Sequence, residues 1–300
     1  KEKHKMAGEI VSTTTTLDDL IAPIVAEAQF VAAEQSIMRG LVKNFTVPAN
    51  TGKVLQVPIY PTQTATTLTE ANDLTPSAIS TSKADITMAE VGLMTNVSDL
   101  SLNHSPSNVI ADVGRLFGEA IATKIDRDLT NLFGSFSTGV GSATTAATAA
   151  LVFEAVAKLR ANGVPGSDLA LVLHPLVAYD LKANLTTQGT NPFVGNGQSD
   201  LGNEALRMGY IGMLAGVPVF ETSNMADSSG NFPGTTGDYK GAVFHRDAIA
   251  LAMSSDIRIE TQRDASARAT EIVGVATYGV AEIHDTYGVE LEFDSSIQDA

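Results

Sequence analysis

The chain has 300 residues, 44% of them hydrophobic, a formal net charge of −15 and no cysteine. That is enough apolar material for a sizeable core in about two domains, and the missing thiols exclude a disulfide framework, a Cys-ligated metal and a thiol nucleophile. The acidic balance excludes a protein whose main task is to grip phosphate backbones, because such affinity comes mostly from Lys and Arg neutralising phosphates. It keeps the chain soluble at high copy number and lets packed nucleic acid lie nearby without sticking. An ordinary acidic soluble protein would carry the same charge.

Lys1 to Met6 make a basic start with no apolar run behind it, so no secretory signal is readable. Met6-Ala7 looks like a translation start, which leaves Lys1 to Lys5 as an added remnant or the end of a removed leader. The most apolar stretches, such as Leu169 to Leu173 and Ala248 to Met253, fall far short of the roughly 20 residues needed to cross a bilayer, and a soluble protein is expected. Thr16 as N-cap, with Asp18 and Asp19 in the first turn, opens an amphipathic helix on which Leu17, Leu20, Ile21, Ile24, Val25, Ala28 and Val31 recur. Pro23 falls early enough to be tolerated or to kink the start, and Gly40 can end the helix. Such a helix either packs on its own domain or serves as an arm along an adjacent subunit.

Val54, Val57 and Ile59, with Gln56 and Pro58 between, read as an edge-type strand, because Pro cannot donate to a central ladder. Ile86, Met88, Val91 and Leu93 give a returning limb, and the segment Pro61 to Pro76 between the limbs is Thr-rich and nearly free of large apolar residues. The stretch Val54 to Ser98 therefore has too little apolar surface to fold back on a core of its own and is expected to reach for a neighbouring subunit. Limbs of about ten residues at about 3.3 Å each would project some 30 Å.

Ser105-Pro106 is a helix start, and Val109, Ile110, Val113, Leu116, Phe117, Ala120, Ile121, Ile125, Leu129, Leu132 and Phe133 mark one face of the helix it opens. Carried to Phe133, this spine helix would be about 40 Å long at 1.5 Å per residue. Gly134 to Ala147 reads as a boundary linker, Leu151 to Leu159 as a second amphipathic helix, and Leu169 to Leu173 as a buried strand leading through His174-Pro175 into another helix. Gln188 to Asn203 and Asp227 to Gly241 are loop-like, and Gly212 to Phe220 is a turn feeding a strand. Two long alternating segments close the chain, one through Ile257, Ile259 and Thr261 and one from Ile272 to Ile283.

No catalytic constellation stands out. His4, His104, His174, His245 and His284 are scattered without metal-ligand spacing. His284-Asp285 and Asp126-x-Asp128 can be drawn as acid/base pairs, but residues one or two apart generally point apart on a regular element. Gly139-Val140-Gly141 lacks the strand and helix context of a dinucleotide fingerprint, and no Gly-x-Ser-x-Gly elbow is present. No cofactor or metal is expected.

The order of parts, with Val172-Leu173-His174-Pro175 leading to Tyr179 and Leu181, Gly212-Met213-Leu214-Ala215-Gly216-Val217-Pro218-Val219, and Gly241-Ala242-Val243-Phe244-His245-Arg246-Asp247-Ala248-Ile249, resembles the major capsid proteins of tailed phages. That resemblance implies an α+β fold of the Hong Kong 97 type. It implies an N-terminal arm over 1–50 carrying Leu17, Leu20 and Ile24, and an extended loop over 51–98 lying across a neighbouring subunit. It further implies a peripheral domain of 99–149 and 241–300 with the spine helix, and an axial domain of 150–240. Inter-subunit contacts would come from Thr62, Thr66, Leu68, Glu70, Asp73, Leu74 and Pro76 of the extended loop, and from Asn191, Phe193, Asn231 and Phe232 of the axial loops.

The implied function is structural: a subunit self-assembling into hexamers and pentamers of an icosahedral shell around double-stranded DNA, in a virion assembled in the host cytoplasm. Implied partners are a portal protein, a scaffolding segment or protein and a decoration protein, without sequence-specific DNA binding or a membrane. Some members of the family cross-link through a loop lysine and an asparagine of another subunit; here the loop has lysines only at its base, Lys53 and Lys83, which argues against autocatalytic cross-linking. An encapsulin-type compartment resembles the same fold with an enzyme cargo, and a soluble α/β enzyme using Asp168, His174 or Asp285 is the reading from a different class.

Overall fold

The computed structural model describes residues 37–48, 52–61, 78–99, 109–187, 212–232 and 236–297, with the single positions 63, 65, 67 and 234. The expected N-terminal helix with Leu17, Leu20 and Ile24 lies outside these residues. So do the loop tip with Thr62, Thr66, Leu68, Glu70, Asp73, Leu74 and Pro76, and Asn191 and Phe193. The chain divides into two compact units, the smaller drawing its described residues from 90–122 and 255–277 and the larger from 36–89, 123–254 and 278–300.

The larger unit is built on a six-stranded sheet. In chain order its strands are β5 (Gly139–Ala146), β6 (Leu169–Leu173), β7 (Met213–Leu214), β8 (Val217–Glu221), β9 (Asp238–His245) and β12 (Gly288–Asp294), arranged β5-β12-β9-β6-β8-β7. All five residues of β6 are buried. A continuous apolar run is what a strand covered on both faces requires. β6 and β8 are parallel, and the helix α4 (Pro175–Thr187) lies between them in the chain. The helix α3 (Ala149–Ala161) buries Val152, Ala155, Val156 and Leu159 in the cluster that holds Leu171, Leu173, Val243, Leu291 and Phe293.

Two strands of this sheet come wholly from outside the expected 150–240 segment, and β9 runs mostly past its end. The stretch Gly134 to Ala147, expected to be a linker, contains β5, which runs parallel to β12. Its apolar signal is weak because it is an edge strand with Val140 as its one buried residue and a glycine, Gly141, at φ +91°. A Cβ at Gly141 would run into the carbonyl of Glu292, so the irregular pairing there needs glycine. β12 returns the chain end to the same sheet, burying Val289, Leu291 and Phe293.

Also in the larger unit, the short helix α1 (Met38–Leu41) leads into β1 (Lys43–Thr46), which pairs parallel with residues 250–253 of β10 (Ile249–Asp264). β2 (Val54–Ile59) and β3 (Ser82–Thr87) form the two limbs of the arm as an antiparallel ribbon.

The smaller unit holds residues 90–98 of β4 (Ala89–Ser98), 255–264 of β10 and 269–277 of β11 (Ala269–Glu282), with β4 beside β11 and β11 beside β10. The helix α2 (Val109–Thr130) packs on β11 through Phe117, whose ring fills the space a side chain at Gly274 would need. At 22 residues α2 is about 33 Å long. A 3-10 turn, Asn131–Ser135, carries the chain past Phe133. The expected start at Ser105-Pro106 lies outside the described residues. At the far end of this sheet Arg263 makes a bidentate pair with Asp99, 2.6 and 2.7 Å.

Candidate functional site

The arm has an inner and an outer face fixed by its register. Leu55↔Ile86 and Val57↔Ala84 turn inward, while Val54↔Thr87, Gln56↔Asp85 and Pro58↔Lys83 turn to solvent. The inner face packs on a cluster of Val47, Ile86, Met88, Ala250, Ala252 and Ile283. This corrects the expectation that the stretch has no core of its own to bury against: its root does, with Ile86 fully buried. A second correction concerns its extent. The returning limb is two strands, β3 paired with β2 and β4 paired with β11, and they part at Met88, whose N–H donates to the carbonyl of Lys53 at 2.8 Å.

Beyond the root the arm changes character. Tyr60 and Ile79, one on each limb just past the last paired residues, are 69% and 62% exposed. Large apolar side chains in that setting are the kind that find a partner surface. The signal was present in the sequence as two bulky residues flanking a Thr-rich run. Of the two basal lysines, Lys83 is paired with Asp85 at 3.3 Å.

Asn231 and Phe232, expected among the axial contacts, are engaged within the chain. Asp227, buried, accepts the Asn231 N–H at 2.7 Å and its side-chain amide at 3.0 Å. The Arg127 guanidinium stands 5.0 Å from the centre of the Phe232 ring. Thr130, at the end of α2, donates to the Asn224 carbonyl at 2.7 Å and so ties this loop to the helix. Between them lies a cleft of about 350 Å³, lined by Thr130, Asn131, Ser135, Asp227, Ser228 and Lys240. Lys240 is paired with Glu290 at 3.1 Å, and Ser135 donates to the Leu132 carbonyl.

The residues of the enzyme reading do not converge. Asp168 and His174 flank the two ends of β6, Asp168 in a left-handed turn at φ 56° and His174 stacked on Tyr239 with ring centres 3.6 Å apart. Asp285 accepts the N–H of Ser137 at 2.7 Å and also its hydroxyl. Burial works against its charge, but those hydrogen bonds hold its carboxyl below the ordinary range. Asp126 accepts the Ile37 N–H at 3.2 Å, whereas Asp128 accepts from Lys124 and from the Tyr278 hydroxyl. Among the described residues no group of three or more His, Asp or Glu is arranged to hold a metal ion, and no helix is long and apolar enough to cross a membrane.

A family model described as "Phage capsid protein" matches residues 81–289. Solved structures share the fold: that of Mycobacterium phage Che8 at 20% identity and a TM-score of 0.66, covering 85% of this chain and 90% of that one. The capsid of the cyanophage P-SCSP1u matches at 20% identity and a TM-score of 0.68, covering 87% and 89%. The holo-SrpI encapsulin complex from Synechococcus elongatus PCC 7942 matches at 13% identity and 0.62, covering 88% and 89%. No curated protein matches. The α+β fold is that of Hong Kong 97-type capsids.

Proposed function

The chain belongs to the phage capsid protein family and is a major capsid subunit, and from that premise we propose that its copies close into hexamers and pentamers of an icosahedral shell around double-stranded DNA. The observation that carries this is the arm: rooted in its own core by Leu55, Val57, Ile86 and Met88, and carrying Tyr60 and Ile79 outward into solvent. A ribbon fixed at one end, with two large apolar side chains exposed just past its paired residues, suits a contact between chains. A shell is a set of such head-to-tail contacts that close by symmetry.

In this reading the tip residues Thr62 to Pro76 lie on a neighbour, the N-terminal segment with Leu17, Leu20 and Ile24 is a second exchanged arm, and the axial loops with Asn191, Phe193, Asn231 and Phe232 meet round the capsomer centre. The protein's place is the virion, assembled in the host cytoplasm. A portal protein and a scaffolding segment or protein complete the particle, with a decoration protein as an outer partner. The subunit has a structural role and no catalytic one.

Electron microscopy of the purified protein tests the proposal. Icosahedral shells or hexameric capsomers are expected, and a monomer under all assembly conditions would overturn it. Because the arm carries Lys53 and Lys83 only at its base, the shell holds without covalent links. Boiled particles should run as one band on denaturing gels, and a ladder of multimers would refute this. The encapsulin likeness favours a second reading, a compartment with a protein cargo. Packaged double-stranded DNA and a portal vertex in native particles separate the two.

A further inference from the structure

The corner where β9 ends, β1 begins and β11 turns into β12 gathers titratable groups that assembly through the arm does not use. In the turn after β9, Asp247 pairs with Lys43 at the first residue of β1, Nζ to Oδ1 2.8 Å. Its other carboxylate oxygen is 3.9 Å from His245 Nδ1, which accepts the Asp247 N–H at 3.2 Å. The Ala248 carbonyl at the end of the same turn accepts N–H groups from both Ile283 and His284, at 2.7 and 3.2 Å. His284 stacks on Tyr287 with ring centres 4.9 Å apart, and His245 meets the same tyrosine edge-on at 5.7 Å. β1 itself has a ladder of only four residues, 43–46, and the half-exposed ion pair sits at the first of them.

We propose that His284 is a pH-operated latch on β1: neutral, it lies on Tyr287 and leaves Asp247 to Lys43, and protonated, it competes for Asp247 and frees the start of β1. The charged groups that act on it are Asp247 of the turn, Lys43 of β1 and His245 of β9, and Tyr287 stacks against it. Glu282 and Asp285 are its neighbours along the chain, with the Asp285 carboxylate turned to Ser137. Burial holds the His284 imidazole below its ordinary 6.5, Lys43 and His245 add to that, and Asp247 opposes it. The closed corner therefore binds fewer protons than the open one, and its stability is complete above pH 6.5 and falls as pH drops toward the lowered value. Asp247 titrates in a separate window, because its hydrogen bond from Lys43 holds it below 3.8. The latch does not depend on what the arm binds.

Amide hydrogen exchange of the unassembled full chain, corrected for intrinsic rates, tests it over residues 42–48 between pH 7.5 and 5.0. Protection there should fall several-fold on acidification, in the direction the lowered His284 sets. Residues 169–173 of β6 should not change. In His284→Phe, which keeps the stacking and cannot titrate, protection should be flat across this range, and His284→Gln provides the same test if the first variant fails to fold. The latch is overturned if both variants keep the wild-type fall, if the wild type shows none, or if β6 loses protection in parallel.

Discussion

Gly279 lies where β11 passes the end of β3, and a Cβ there would run into the carbonyl of Thr87 and the side chain of Ile86. The obstacle is backbone, so room comes only from moving a strand. Gly279→Ala should cost about 1–3 kcal/mol, read as a lower urea midpoint with an unchanged m-value. Gly40 in the short helix α1 is the control, since nothing lies within 4 Å of its would-be Cβ. Gly40→Ala should be neutral or stabilise by up to about 1 kcal/mol. Asp126 makes a different residue-scale case. It is 1% exposed and accepts the N–H of Ile37, so Asp126→Ala should cost about 0.5–1.5 kcal/mol through loss of that part-buried hydrogen bond. The same measurement decides it.

At the scale of elements, the arm separates folding from assembly. Ile86 is buried at its root, and Ile86→Ala should cost about 2–5 kcal/mol of subunit stability. Tyr60→Ser with Ile79→Ser should leave the urea midpoint within about 0.5 kcal/mol of wild type while lowering the yield of shells in sedimentation. Shortening Thr62 to Pro76 should do the same. Equal loss of subunit stability in both sets would remove the distinction. The two limbs were legible in the sequence because their apolar residues alternate. The change of partner at Met88 leaves a signal too: Ile86 and Met88 are even-numbered, Val91 and Leu93 odd, and a shift of phase moves the apolar set to the other face. β6 was plain from its unbroken apolar run, whereas β5, an edge strand of Gly, Ser and Thr, left no periodic signal. Tyr60 and Ile79 were visible as bulky residues, but only their exposure makes them candidates for contact.

For the whole molecule, the charge of −15 sets how nucleic acid can be held. Of the 19 Lys and Arg residues, eight already pair with carboxylates in the described structure: Lys43, Lys83, Lys124, Lys158, Lys182, Lys240, Arg258 and Arg263. A phosphate backbone meeting this surface has to displace those carboxylates as well as its own counterions, and the acidic excess repels it at longer range. On the proposed reading, DNA inside such a shell would be kept by enclosure and by the counterions that travel with it, not by affinity for the wall. Unassembled subunits should give no mobility shift with double-stranded DNA even at about 50 mM salt, where screening is weak and any phosphate contacts are strongest. A shift that weakens steeply with added salt would show that a cationic face exists after all and that the wall grips its contents.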